Sequence, residues 1–314
     1  MSENLVLVQR GDLFGHKGER YAECLRDRLD GWTVVYPESS THERELLGRA
    51  RVVTGAYLDP DDIPSENRIE LYAYTFTGAN HLPIDRYAEH GIAVTSASGV
   101  PAPNIAEHVI GCMVAGARDF QRAWRQQERG VYRSFHTKDI DGSTVAVVGL
   151  GSIGEAVVER LAGFNVETIG VRFTPTKPSP TGRTVGYDDI ELALDAADFV
   201  VLTCPLTDTT ANVIDDDALQ TMRPDAVLIN VARGGVVDTD ALTRRLQRNH
   251  VGYAILDVTD PEPLPNDHPL WDLDNAFITP HYAGETPQYV TRLATLVASN
   301  VHELDDGELV NLIE

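Results

Sequence analysis

Gly149-Leu150-Gly151-Ser152-Ile153-Gly154 constrains this chain more than any other run, because of what lies on either side of it. Thr144 to Val148 has strand character, and Glu155 to Ala162 has helical character. A GxGxxG pattern between a strand and a helix reads as a phosphate-binding turn. Its first glycine permits the tight turn, its second lets the backbone approach a pyrophosphate, and its third lets helix and strand pack closely. The helix start adds unpaired N–H groups and a partial positive charge. The region around residue 149 is therefore expected to be a doubly wound, mostly parallel sheet that binds a dinucleotide.

The rest of the chain repeats the alternation. Leu5–Val8, Thr33–Tyr36, Arg51–Thr54, Leu71–Phe76 and Ile92–Val94 read as strands, with helices at Glu19–Leu29 and Ile84–His90. Strands separated by helices rather than hairpin turns need crossover connections, hence parallel sheets. Pro101 and Pro103 break the chain. A long helix is predicted from Asn104, as N-cap, to about Gln127. A second strand series follows at Val166–Val171, Phe199–Leu202, Ala226–Asn230, Gly252–Leu256 and Ala276–Ile278, with a closing helix at Thr286 to about Glu303. A length of 314 residues suits two domains. The expected division is 1–103 with 285–314 for one, and 104–284 for the other.

Composition narrows the partners. Lys plus Arg is 26 against 48 Asp plus Glu, a net charge of −22, and Lys17, Lys138 and Lys177 are the only lysines. An acidic excess with few lysines suits solubility in concentrated salt, where self-repulsion is screened, so a halophilic source is expected. The same charge repels nucleic acid and anionic membrane, and no apolar run is long enough for a membrane span. Met1-Ser2-Glu3-Asn4 lacks the start of a signal peptide. Cys24, Cys112 and Cys204 form no CxxC pair, so neither a disulfide framework nor a zinc site is indicated. The expectation is a soluble cytoplasmic protein with no required metal.

Three later segments carry candidate chemistry. A carboxylate at the end of the strand after the phosphate turn would bond a ribose 2′-hydroxyl, but that position, eighteen residues after Gly154, is Arg172. Arg binds a 2′-phosphate, and Thr174 and Lys177 follow, so NADP(H) is predicted over NAD(H), the weaker alternative. Arg233 stands between Ala232 and Gly234-Gly235 at a strand end and can grip a substrate carboxylate or polarise a carbonyl. Glu262 and His281 follow the next two strands, and a carboxylate beside an imidazole favours the protonated ring as an acid.

Taken together these motifs resemble the D-isomer-specific 2-hydroxyacid dehydrogenase family over nearly the whole chain. The resemblance rests on VGLGSIGEA (148–156), CPLTDTT (204–210), INVARGGVVD (229–238), LDVTDPEPLP (256–265) and TPHYAG (279–284). It implies a flavodoxin-like substrate domain and a Rossmann coenzyme domain with a cleft between them, and a homodimer with the helix beginning near Asn104 in contact. It implies reversible reduction of a small 2-oxo acid to a D-2-hydroxy acid, with Arg233 binding substrate, His281 as proton donor and Glu262 supporting it. By the same motifs the cofactor-binding set is Gly149, Leu150, Gly151, Ser152, Ile153, Gly154, Arg172, Phe173, Thr174, Cys204, Pro205, Thr209, Val231, Ala232 and Asp257. Asp257 matches the carboxylate that contacts the nicotinamide amide, and Cys204 is read as a small cofactor-lining residue. Thr77, Gly78 and Ala79, within Phe76 to Asn80, resemble the loop whose N–H groups bind the substrate carboxylate. Arg172 departs from the family's acidic residue. A catalytically idle module that senses NADP(H) is the competing expectation, which an intact Arg, Glu and His set disfavours.

Overall fold

Strands that are apolar on both faces can be buried only between two layers of helices. The chain builds such a sandwich twice in the computed structural model, which describes residues 4–13, 15–79, 81–305 and 307–313. It divides into two units, Met1–Pro101 with Glu285–Glu314, and Ala102–Gly284.

The first unit runs β1 (Leu5–Val8), a short antiparallel pair β2 (Asp12–Leu13) and β3 (His16–Lys17), α1 (Gly18–Arg26), β4 (Thr33–Val35), α2 (Ser40–Leu47), β5 (Val52–Gly55), β6 (Leu71–Tyr74), α3 (Ile84–Glu89) and β7 (Ala93–Thr95). The main sheet is parallel, in the order β4-β1-β5-β6-β7. Leu5 and Leu7 face Leu46, Leu47 and Tyr87 on one side. Val6 and Val8 face Tyr21, Leu25, and Leu293 and Val297 of the C-terminal helix Tyr289–His302 on the other. Burial of each such side chain contributes about 1.5–3 kcal/mol, which is why these strands read as continuous apolar runs.

The second unit begins with α4 (Ala102–Ala117) and α5 (Phe120–Glu128). Then come β8 (Thr144–Val148), α6 (Ser152–Leu161), β9 (Glu167–Val171), β10 (Arg183–Val185), α7 (Glu191–Leu194) and β11 (Phe199–Leu202). It ends with α8 (Asp216–Thr221), β12 (Val227–Asn230), α9 (Thr239–Gln247), β13 (Tyr253–Leu256) and β14 (Ala276–Ile278). Seven parallel strands lie in the order β10-β9-β8-β11-β12-β13-β14. Val145 and Val147 pack toward Val109, Met113 and Val157, whereas Ala146 and Val148 pack toward the layer of Leu219, Leu242 and Leu246.

The long helix expected from Asn104 to Gln127 is two helices. Asp119 takes a left-handed φ of 49° and separates α4 from α5. Nor is Asn104 an N-cap. The helix starts at Ala102, because Pro103 is tolerated in a first turn whose N–H groups need no helical partner. Asn104 instead donates its side-chain amide to Ala283 O at 2.7 Å. Among the described residues no helix is long and apolar enough to cross a membrane.

Candidate active site

The turn after β8 lies where the strand order reverses, at the carboxyl ends of β8 and β11. Open α/β sheets bind their ligands at such a point. Gly149 has φ +99°, and a Cβ there would stand 2.5 Å from the Cys204 nitrogen, so only glycine lets the two loops touch. Gly151 precedes α6 without a capping side chain and has open space beside it. Ser152 and Ile153 begin that helix, so its first N–H groups are left to an anion.

A cleft of about 500 Å³ opens beside this turn. Gly149, Leu150 and Gly151 line it from the phosphate turn, and Arg172, Phe173, Thr174 and Lys177 from the loop after β9. The loop after β11 contributes Thr203, Pro205, Thr207, Thr209 and Thr210, and Tyr187 completes the wall. Arg172 donates to Pro178 O at 3.2 Å, and among the described residues neither Arg172 nor Lys177 has a carboxylate partner. Open N–H groups, a glycine cradle and two unpaired cations fit the phosphates and ribose of a dinucleotide.

Arg233, Glu262 and His281 come from the ends of β12, β13 and β14, which are neighbours in the sheet. Asn230 shapes the first of these ends. Its Oδ1 accepts from Ala232 N and its Nδ2 donates to Arg233 O, both at 3.0 Å. Gly234 then packs so tightly on the next loop that a Cβ would meet Thr259 O at 2.0 Å. Thr259 N donates to Glu262 Oε2 at 3.4 Å, and Glu262 Oε1 lies 2.5 Å from His281 Nδ1. The three loops are thus linked in series. The Arg233 guanidinium bonds Ala232 O at 2.6 Å and, among the described residues, pairs with no carboxylate. His281 is half exposed. Because Glu262 engages Nδ1, Nε2 is the nitrogen left to exchange a proton with a ligand.

The remaining expected residues fall into four groups. Gly154 sits against Gly149 O, which a Cβ would approach to 2.0 Å, so it serves helix packing. Val231, Ala232 and Cys204 are buried. Cys204 does not line the cleft; it stands behind Gly149, and burial pushes its thiol up to about 11. Asp257 is 3% exposed, and its carboxylate accepts from Thr279 Oγ1 at 2.6 Å and from Tyr282 N and Ala283 N at 3.1 Å. Thr77, Gly78 and Ala79 follow β6 in the first unit, and their N–H groups have no partner among the described residues. Asn80 lies outside the described residues. Tyr187, Thr203, Thr207 and Thr210 were not singled out from the sequence. Thr207 and Thr210 belong to the CPLTDTT run, which Thr203 precedes, and Thr210 Oγ1 braces it by bonding Pro205 O at 2.5 Å. No local pattern marks Tyr187.

Comparison with known proteins gives this geometry a setting. Residues 110–283 match the D-isomer specific 2-hydroxyacid dehydrogenase NAD binding domain. A glyoxylate reductase of Pyrococcus furiosus is 32% identical over 265 residues, covering 80% of this chain and 77% of the relative. A D-3-phosphoglycerate dehydrogenase of Methanocaldococcus jannaschii is 32% identical over 263 residues, 82% of this chain but 50% of the relative, so the chain spans half of that protein's length. Among solved structures, a D-isomer specific 2-hydroxyacid dehydrogenase from Xanthobacter autotrophicus Py2 in complex with NADPH and MES aligns with a TM-score of 0.83 and 25% identity. That alignment covers 100% of this chain and 98% of the other.

Proposed function

The chain belongs to the D-isomer-specific 2-hydroxyacid dehydrogenases, oxidoreductases that use a nicotinamide dinucleotide, and on that premise we propose that it reduces 2-oxo acids with a preference for NADPH. The contact between His281 Nδ1 and Glu262 Oε1 carries the proposal, since it leaves an imidazole oriented to deliver a proton from Nε2.

When bound, the reduced nicotinamide supplies the hydride. Arg233 provides an uncompensated cation for the substrate's carboxylate and polarised carbonyl oxygen. The N–H groups of Thr77, Gly78 and Ala79, unpartnered among the described residues, are donors suited to a carboxylate. His281 gives its proton to the oxygen as negative charge develops there, and Glu262 orients the ring and stabilises the imidazolium before transfer. In the reverse direction neutral His281 accepts the hydroxyl proton. Val231 and Ala232 belong to the nicotinamide end of the cofactor site in this scheme.

Arg172 and Lys177, two cations without acidic partners among the described residues, line the cleft and support NADP(H) over NAD(H). Glyoxylate is the first substrate to try, because several relatives are glyoxylate reductases. The test is NADPH oxidation with a panel of 2-oxo acids in concentrated KCl, using wild-type protein and His281→Ala. Turnover by the wild type and a loss of about 100-fold or more in the variant, with NADPH binding retained, is expected. Undiminished turnover by His281→Ala overturns the scheme.

A further inference from the structure

His281 is useful only if an unfavourable backbone is kept in place. Its φ is +51°, in the left-handed region that non-glycine residues rarely adopt. His281 N donates to Thr279 O at 3.0 Å and closes a three-residue turn.

The frame comes from the neighbouring strand. Asp257 follows β13, whose last residue Leu256 pairs with Ile278 of β14, so Asp257 stands beside Thr279. One carboxylate oxygen accepts from Thr279 Oγ1 and Tyr282 N, and the other from Ala283 N. These donors lie on both sides of His281. At 3% exposure Asp257 has little access to water, so these donors are the carboxylate's hydrogen-bond partners. Two residues of α4 hold the same loop from another direction. Asn104 donates to Ala283 O at 2.7 Å, and the His108 ring meets Tyr282 edge-on at 5.3 Å. Burial holds His108 below the ordinary imidazole range, against the opposing pull of Asp257.

We propose that Asp257 is a positioning residue for His281: its buried carboxylate locks the left-handed turn that delivers the imidazole to Glu262. This differs from contact with the cofactor, and its kinetic consequence rests on the proposed role of His281 as proton donor. The structural consequence does not.

Three measurements on Asp257→Ala decide it. Amide exchange at Tyr282 and Ala283 should speed up by about tenfold or more, because their acceptor is gone. The kcat at saturating NADPH should fall about 100-fold, as expected when a proton donor is misplaced by an ångström. The NADPH dissociation constant should stay within about threefold of wild type, since the turn and not the cofactor is disturbed. A retained kcat with a weakened NADPH affinity overturns the proposal, because Asp257 then acts on the cofactor. Unchanged exchange at Tyr282 and Ala283 overturns it as well. Should Asp257→Ala fail to fold, Thr279→Val removes one donor at nearly constant volume. It should lower kcat by roughly 3- to 10-fold and accelerate the same two amides. No change in either quantity sinks the idea. If the wild type reduces no 2-oxo acid, the reaction assignment fails, while the exchange measurements still settle whether Asp257 holds the turn.

Discussion

At 2.5 Å from Nδ1 of His281, the Glu262 carboxylate fixes which way the ring points and offsets its charge when protonated. Glutamine keeps the hydrogen-bonding shape but not the charge. Glu262→Gln should therefore lower kcat for 2-oxo acid reduction by roughly 10- to 100-fold while NADPH affinity stays within about twofold. Steady-state kinetics with a separate binding titration check this. Cys204 gives a pH-dependent counterpart. Burial raises its thiol to about 11, so below that pH the neutral thiol dominates, and thiolate is the reactive form. Alkylation at pH 8 should be negligible in the folded protein and rapid after denaturation, as mass spectrometry of the tryptic peptide can show. The sequence made the identities of Arg233, Glu262 and His281 legible because each ends a recognisable strand run. It could not show that Asp257 turns its carboxylate inward to three donors 22 to 26 residues away.

Among the elements, loops after parallel strands carry the candidate site residues, and the strands aim them. In the proposed scheme one residue of the loop after β9 selects the cofactor. Arg172 lines the cleft at the position where a carboxylate would meet a ribose hydroxyl. Arg172→Asp should shift the kcat/KM ratio toward NADH by about 10- to 100-fold, through repulsion of the 2′-phosphate and acceptance of the free hydroxyl. An unchanged NADPH/NADH ratio would remove Arg172 from the specificity assignment. The strands were readable because a strand buried on both faces needs an unbroken apolar run. Strand β10 was not, since Arg183-Thr184-Val185 pairs at the sheet edge with one buried side chain. The interruption at Asp119 was also hidden. Apolar spacing runs on through α4 toward α5, and aspartate tolerates the left-handed region without announcing it.

For the molecule as a whole, the net charge of −22 is expected to make stability depend on salt. A net −22 with three lysines repels itself at low ionic strength, while some of its arginines serve in pairs such as Arg51 with Glu70 and Asp305. Raising KCl from about 0.1 M to the molar range shortens the Debye length from roughly 10 to 3 Å and should lift the melting temperature by about 5 °C or more. Differential scanning calorimetry across that range is the check, and a salt-indifferent transition would contradict it. By itself the sequence determined two parallel α/β sheets, the phosphate turn after β8 and the three strand ends that bear Arg, Glu and His. Those follow from short-range rules, namely strand and helix periodicity and the backbone freedom of glycine. Tertiary structure alone decided that Glu262 reaches Nδ1 of His281, that Asn104 anchors a loop instead of capping a helix, and that Asp257 braces the histidine turn. Each of those depends on side chains brought together by strand register and helix packing, which no local stretch of sequence encodes.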